Sequence, residues 1–296
     1  MKHIRLTSIF LCLLLIQQFL LANSNQEKYY KPENILRFAE HLFQEGDYLR
    51  AASEFLRYLY YSDSIPIEED TIYYKIGLCY RLGKNHQKSI SYFQKVIADY
   101  PYSNYLDDSH FQIAYSHFLS GKYKESLSFA DKSLSLIKSD PGRLKLQQLT
   151  GLNYIYQKQW RQAVDYLSSL ENRVKHNGLS ASLLNFAKQG EQLPRKSKFL
   201  AGLMSAIIPG IGKMYCHRTG DGLMSLLTIG LTSWQAYDGF HKKGSKSVKG
   251  WIFGAMTAFF YLGNIYGSVV TANIYNQQIE DKLLTEVRVT INVSFK

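Results

Sequence analysis

The residues that could do chemistry are few, and each meets an objection in the sequence itself. Cys12, Cys79 and Cys216 are the only cysteines. A thiol nucleophile needs a base, a disulfide framework needs pairs and a zinc site needs short repeated spacings; these three, far apart, offer none of them. They read as buried small hydrophobes. His41, His110 and His117 fall on or near predicted helices, and the last two, seven residues apart, share a helical face. Imidazoles on one face can hold a metal ion, but no third ligand is placed with them, so surface or groove-lining roles are expected. Asp107 and Asp108 precede a helix predicted to begin near Ser109 and read as favourable charge at its positive end, not as a catalytic pair. Gly212-Lys213 invites a phosphate loop, yet Met214 stands where Ser or Thr should meet magnesium and Ile207 where the first Gly should be. No catalytic residue, cofactor or metal set is assigned, and the chain is not expected to be an enzyme.

The formal net charge of +11 raises the question of nucleic acid or anionic membrane. Basic residues are scattered, as in QKSISYFQK and GKYKES, the pattern of solvated helix faces. With no continuous basic face or known motif, nucleic acid is not an expected partner. The 23 tyrosines suit helix-pair interfaces and membrane boundaries as well as they would suit base stacking.

These residues are carried by a repeated unit. Thr71 to Pro101 reads as two helices packed back to back, with apolar faces Ile72, Tyr73, Ile76, Tyr80 and Ile90, Phe93, Val96, Ile97, stopped by Gly83 and Pro101. One such pair cannot bury its apolar face alone, so neighbouring copies are required. Ala39, Gly77, Ala114 and Gly151 recur at spacings of 38, 37 and 37 residues. Twelve residues after each stands another small residue: Ala51, Ser89, Ser126 and Ala163. Nine after each stands a ring (Tyr48, His86, Tyr123, Trp160), and sixteen after each an apolar residue (Phe55, Phe93, Ala130, Leu167). Small residues let the two helices approach, and the ring plugs the gap between them. Gly46, Gly83 and Gly121 are expected to end first helices, where a positive φ is cheapest, and Pro66, Pro101 and Pro141 to end second helices and start the next unit.

The pattern resembles the tetratricopeptide repeat family over about half the chain, with a longer period than the usual ~34 residues. Ala98 to Leu127 is also similar to the exported tetratricopeptide proteins of the bacterial envelope, those of β-barrel assembly and Tol–Pal coordination. Tyr100, Pro101, Ser103 and Tyr105 match their YPxSxYxxxA run, with Ser109 in the small position. No lipobox is present, so a lipid anchor is not supported. The resemblance implies a superhelix whose concave groove binds a protein partner, with Tyr73, Tyr80, His110 and His117 as candidate groove residues.

Residues 1–24 have the basic start (Lys2, His3, Arg5), apolar run and small-residue site (Ala22-Asn23-Ser24) of an export signal. Whether cleaved or kept as an anchor helix, this segment takes the rest of the chain out of the cytosol. Repeats then occupy 25–192, about four copies plus a capping helix from 176, and LPRKSK at 193–198 is a linker. Residues 199–275 read as a membrane domain: a re-entrant or interfacial helix over 199–215 and transmembrane helices over 222–240 and 251–275. Pro209, Gly210, Gly212, Tyr215 and Gly222 resemble the PGxGxxY signature of small bacterial membrane domains, with Lys213 departing from an expected uncharged residue. That match implies architecture, not activity. Gly263 and Gly267 form a GxxxG pair of the kind that lets helices touch. With two crossings Lys242, Lys243, Lys246 and Lys249 fall in a cytosolic loop, placing the chain in a bacterial inner membrane with the repeats on the periplasmic side. Three crossings remain open.

In the tail, 276–296, Val287, Val289, Ile291, Val293 and Phe295 alternate with polar residues, the period of a strand. An unpaired strand predicts β-augmentation of a partner's sheet by Val287 to Phe295. The expected fold is all-α: a tetratricopeptide superhelix, a helical membrane hairpin and a short strand-like tail. The expected function is a membrane-anchored, non-enzymatic envelope scaffold; the alternative is an accessory subunit or small channel whose membrane domain carries the function.

Overall fold

The computed structural model describes residues 31–62, 68–174 and 178–294. The predicted export signal, Pro66, the first residues of the predicted capping helix (176–177) and Phe295 lie outside them. The chain divides into two compact units, 1–157 and 158–296.

The first unit is a succession of antiparallel helices, each packed on the next. They are α1 (Pro32–Gln44), α2 (Tyr48–Tyr61), α3 (Glu69–Leu82), α4 (His86–Asp99), α5 (Leu106–Leu119), α6 (Tyr123–Leu134) and α7 (Asp140–Tyr156). Their ends have local causes. Pro32 and Pro141 sit in the first turns of α1 and α7, where no N–H partner is lost. Asn85 accepts from Lys88 N–H, and Ser139 from Gly142 N–H, as N-caps.

At the repeat registers Ala39, Ala51, Ala114, Ser89, Ser126, Phe55, Phe93 and Ala130 are all fully buried. Full burial of a ring such as Phe93 contributes about 1.5–3 kcal/mol. The buried serines are satisfied: Ser126 Oγ donates to the Ala114 carbonyl at 2.8 Å and accepts from Asn153 Nδ2 at 2.9 Å. Gly77 is small for a visible reason, since a Cβ there would stand 2.7 Å from Phe93 Cε1.

Gly46 and Gly121 have positive φ (82° and 75°), but Gly83 does not. Lys84 takes the left-handed conformation instead, and Lys158 does so two repeats further on. The turn position therefore recurs at 46, 84, 121 and 158 and tolerates lysine. Gly83 serves a different end: a Cβ there would meet Leu49 Cδ2 at 2.8 Å.

The second unit holds α8 (Trp160–Val174), α9 (Gly178–Glu191), α10 (Lys198–Ile207), α11 (Ile211–Tyr215), α12 (Thr219–Lys243) and α13 (Val248–Ser294). Trp160 and Gly190 fit together, an added Cβ lying 2.0 Å from the indole. The 47-residue α13 packs against α9, α10, α11 and α12. Its composition makes it the one described helix long and apolar enough to cross a membrane; α12 has the length, at 25 residues, but not the composition.

The strand expected in the tail is overturned. Residues 287–294 continue α13 as helix, and no strand occurs among the described residues. Leu283, Val287 and Ile291, four residues apart, are buried at 5%, 0% and 3% exposure, while Val289 is 65% exposed. Positions four apart satisfy a two-residue and a helical period alike, and the exposure of Val289 between two buried neighbours marks the helical one. With its backbone groups paired within the helix, this segment has no free edge with which to augment a sheet.

Candidate functional site

Two regions gather the residues singled out in the sequence. In the first unit, α3 and α4 present a tyrosine face. Tyr92 stacks between Tyr73 (6.3 Å between centroids) and Tyr80 (5.4 Å), Lys95 lies 4.7 Å above the Tyr73 ring, and Lys88 lies 5.2 Å above Tyr80. Tyr80 is nearly buried and Tyr73 half-buried, so the face is a stiff aromatic ridge carrying two cations. Burial pushes the Tyr73 phenol up, with Lys95 opposing. Burial also raises Tyr92, so the Tyr73 and Tyr92 phenols remain protonated at neutral pH and can donate hydrogen bonds.

His110 is turned inward. Only 5% exposed, it meets Ser133 Oγ through Nδ1 at 3.0 Å, and burial lowers its pKa. His117 is half-buried beside Phe129, its pKa likewise lowered by burial. Asp107 accepts from the backbone N–H of Ser139 (2.8 Å) and Lys138 (3.1 Å), and Asp108 pairs with Lys145 at 3.3 Å. Both carboxylates thus tie the start of α5 to the approach and first turns of α7. Burial pushes the Cys79 thiol up to about 12, which suits packing rather than nucleophilic attack. Among the described residues, no three His, Cys, Asp or Glu side chains come together to hold a metal. Sequence reading missed Arg81, whose guanidinium is largely buried and lies 5.5 Å from the Tyr115 ring. No local motif announces it, because Tyr115 comes from the next repeat.

In the second unit the glycine-rich signature is a knot of close backbone contacts. Gly210 has φ +90°, and a Cβ there would lie 2.0 Å from the Gly222 carbonyl oxygen. At Gly212 a Cβ would lie 1.9 Å from the Ala201 carbonyl oxygen. The half-buried Pro209 precedes this turn between α10 and α11. Tyr215 closes it: its hydroxyl accepts from Ser197 N–H at 3.3 Å, and Lys196 lies 4.5 Å above its ring. A buried polar seam joins α10 to α13. Gly212 N–H donates to Ser205 Oγ at 2.9 Å, Ser205 Oγ meets Ser268 Oγ at 2.7 Å, and Asn264 Nδ2 donates to the Ser205 carbonyl at 3.2 Å. Asn264, Ser268 and Thr271, small polar residues at helical spacing in an apolar run, are the signal that could have revealed this seam. Gly263 and Gly267 do not join two helices closely here. Nothing lies within 4 Å of a Cβ at Gly263, and one at Gly267 would meet Lys213 Cε at 3.4 Å.

Residues 72–103 match the family model of a tetratricopeptide repeat. The matched stretch holds most of α3 and all of α4, one of the successive helix pairs of the first unit. No curated protein matches the chain. Two solved structures of the nearly identical TPR-like repeats of a candidate kinesin light chain from Podosopora anserina are similar at 14% identity. They cover 56% of this chain and 89% of theirs, with TM-scores of 0.44 and 0.43. A tetratricopeptide repeat protein from Parabacteroides merdae is 11% identical, covering 86% of this chain and 97% of its own, with a TM-score of 0.43. Likenesses this distant carry no function across.

Proposed function

We propose that the protein is a non-enzymatic, membrane-anchored scaffold of the bacterial cell envelope, whose repeats engage a protein partner and whose second unit holds them at the inner membrane. The observation that carries the anchor is an outward apolar stripe on α13. Ile252, Phe259, Leu262 and Tyr266 succeed one another at seven-, three- and four-residue steps, and they are 54%, 74%, 67% and 72% exposed. Such a stripe on a water-facing helix is costly, and a contiguous one marks a membrane or partner surface. At 1.5 Å per residue α13 is about 70 Å long, more than twice the ~30 Å hydrocarbon core. Its first half suits the bilayer and its second half the polar side, where it packs on α9. In this reading α12 pairs with α13 as a hairpin, as their packing allows. The broken backbone around Pro209 is filled by contact with Gly222 and Ala201 rather than lining an open path. That favours an anchor over a channel.

For the repeats, the Tyr73–Tyr92–Tyr80 ridge with Lys88, and with Lys95 paired to Asp99 at 2.6 Å, suits an extended peptide that offers carbonyl oxygens and an acidic side chain. The export signal read at 1–24 supports a periplasmic repeat domain. The test is alkaline carbonate extraction of the full chain from bacterial membranes, followed by protease treatment of spheroplasts. Retention in the pellet, with the repeats digested from outside, is expected. Release by carbonate would overturn the anchor, and protection of the repeats in intact spheroplasts would overturn the orientation.

A further inference from the structure

We propose that the cavity between α11, α12 and α13 binds the headgroup of one anionic phospholipid. This inference rests on the membrane-anchor reading. The cavity has a volume of about 410 Å³, within the usual range for a small-molecule site. Lys213 supplies its charge. The ammonium donates to Ser225 Oγ at 2.8 Å, and among the described residues no carboxylate comes within ion-pair distance of it. Asp221 also lines the cavity, but it pairs with Arg218 at 2.7 Å. A half-buried cation beside apolar helices calls for a counter-ion, because its desolvation is otherwise uncompensated.

Two further features narrow the ligand. Asn264, 4% exposed, lines the same cavity, and its Oδ1 finds no donor within the protein while its Nδ2 is engaged. The ligand should therefore carry a donor, such as a glycerol hydroxyl, near its anionic group. Met224 and Phe259 also line the cavity and are 68% and 74% exposed, offering apolar surface to acyl chains. Phosphate oxygens on Lys213, a headgroup hydroxyl toward Asn264 and chains along Met224 and Phe259 describe a phosphatidylglycerol-like lipid better than free phosphate. Gly263 keeps the volume open, since nothing occupies the space where its side chain would project.

The test uses the full chain in detergent, titrated with phosphatidylglycerol, phosphatidylcholine or inorganic phosphate and read by native mass spectrometry. We expect phosphatidylglycerol to bind more tightly than phosphatidylcholine by about tenfold, the scale of one ~1.4 kcal/mol charge contact. Lys213→Gln should abolish this preference and Lys213→Arg should keep it. Gly263→Leu grows into open space, so it should fold, keep the charge and still block the site. Equal binding of the two lipids, or an unchanged preference in Lys213→Gln or Gly263→Leu, would overturn the proposal. Displacement of the lipid by inorganic phosphate would overturn the lipid as the source of the anion. A chain that carbonate releases from the membrane defeats the anchor reading; one that stays but shows no lipid preference defeats only this inference.

Discussion

Gly77→Ala is a change that looks harmless and should not be. In an open helix it would stabilise by about 1 kcal/mol, the propensity difference between Gly and Ala. Here the new methyl would lie 2.7 Å from Phe93 Cε1 and 2.9 Å from its Cδ1 and Cζ, all inside van der Waals contact. The ring cannot easily retreat, being fully buried with Tyr74 at 5.5 Å between centroids. Overpacking of this kind costs about 1–3 kcal/mol, so the net expectation is a loss of about 1 kcal/mol. Phe93→Leu removes Cε1, the nearest atom, and Cζ, at its own cost. In that background Gly77→Ala should become neutral or stabilising, giving a coupling of about 1–2 kcal/mol, above the scatter of additive sites. Hydrogen exchange by mass spectrometry on peptides spanning 69–99 measures the local opening energy in all four proteins of the cycle. A Gly77→Ala effect that is stabilising, or the same in both backgrounds, would refute the claim that this repeat register is set by Gly–Phe contact.

The tail gives a sharp contrast. Val287→Asp should destabilise by about 3 kcal/mol or more because it buries an unpaired charge, whereas Val289→Asp should change stability by less than about 0.5 kcal/mol; equal effects in thermal unfolding would restore the two-residue period. Acid sensitivity should come partly from the inward-facing His110. Its folded pKa lies below the unfolded value of about 6.5, so the unfolded state binds more protons and stability falls as pH drops below that value. Burial pushes Asp107 up, but hydrogen bonds from Ser139 and Lys138 outweigh it and hold its pKa low. Its contribution is present above the unfolded pKa of about 3.9 and is lost as pH falls through the folded value. Midpoint temperatures recorded from pH 7 to 3 should therefore decline. His110→Gln should reduce the slope in the upper range without abolishing it, because burial also lowers the pKa of His86 and His117, and Asp107→Asn should reduce it in the lower range. A midpoint that rises on acidification would contradict both assignments.

Much of the first unit was legible because its information is local and repeated. Gly, Ala and Ser at fixed offsets, rings after turns and prolines at helix starts each act within one helix pair, and their recurrence at 37–38 residues separates them from chance. The glycine signature around Pro209 was equally visible, since only glycine survives the backbone contacts with Gly222 and Ala201. Other features were hidden because they depend on partners distant in sequence. The left-handed turn residue falls on Lys84 and Lys158, where the residue type gives no warning, while Gly83 answers to Leu49 in the preceding pair. His110 looks like a groove residue from its helical face, but Ser133, on another helix, holds it inside.

The sequence by itself determined a helical repeat, its period and an apolar region after residue 198, because hydrophobic periodicity and backbone propensity are properties of neighbouring residues. Tertiary structure decided the tail, since Val287 and Ile291 suit either period until packing buries them and leaves Val289 exposed. It also decided the charged cavity, which exists only where Lys213, Ser225 and Asn264 from three helices converge. Periodicity says which face of an element must be buried. Only packing says against what, and whether a charge left in the middle has found its partner.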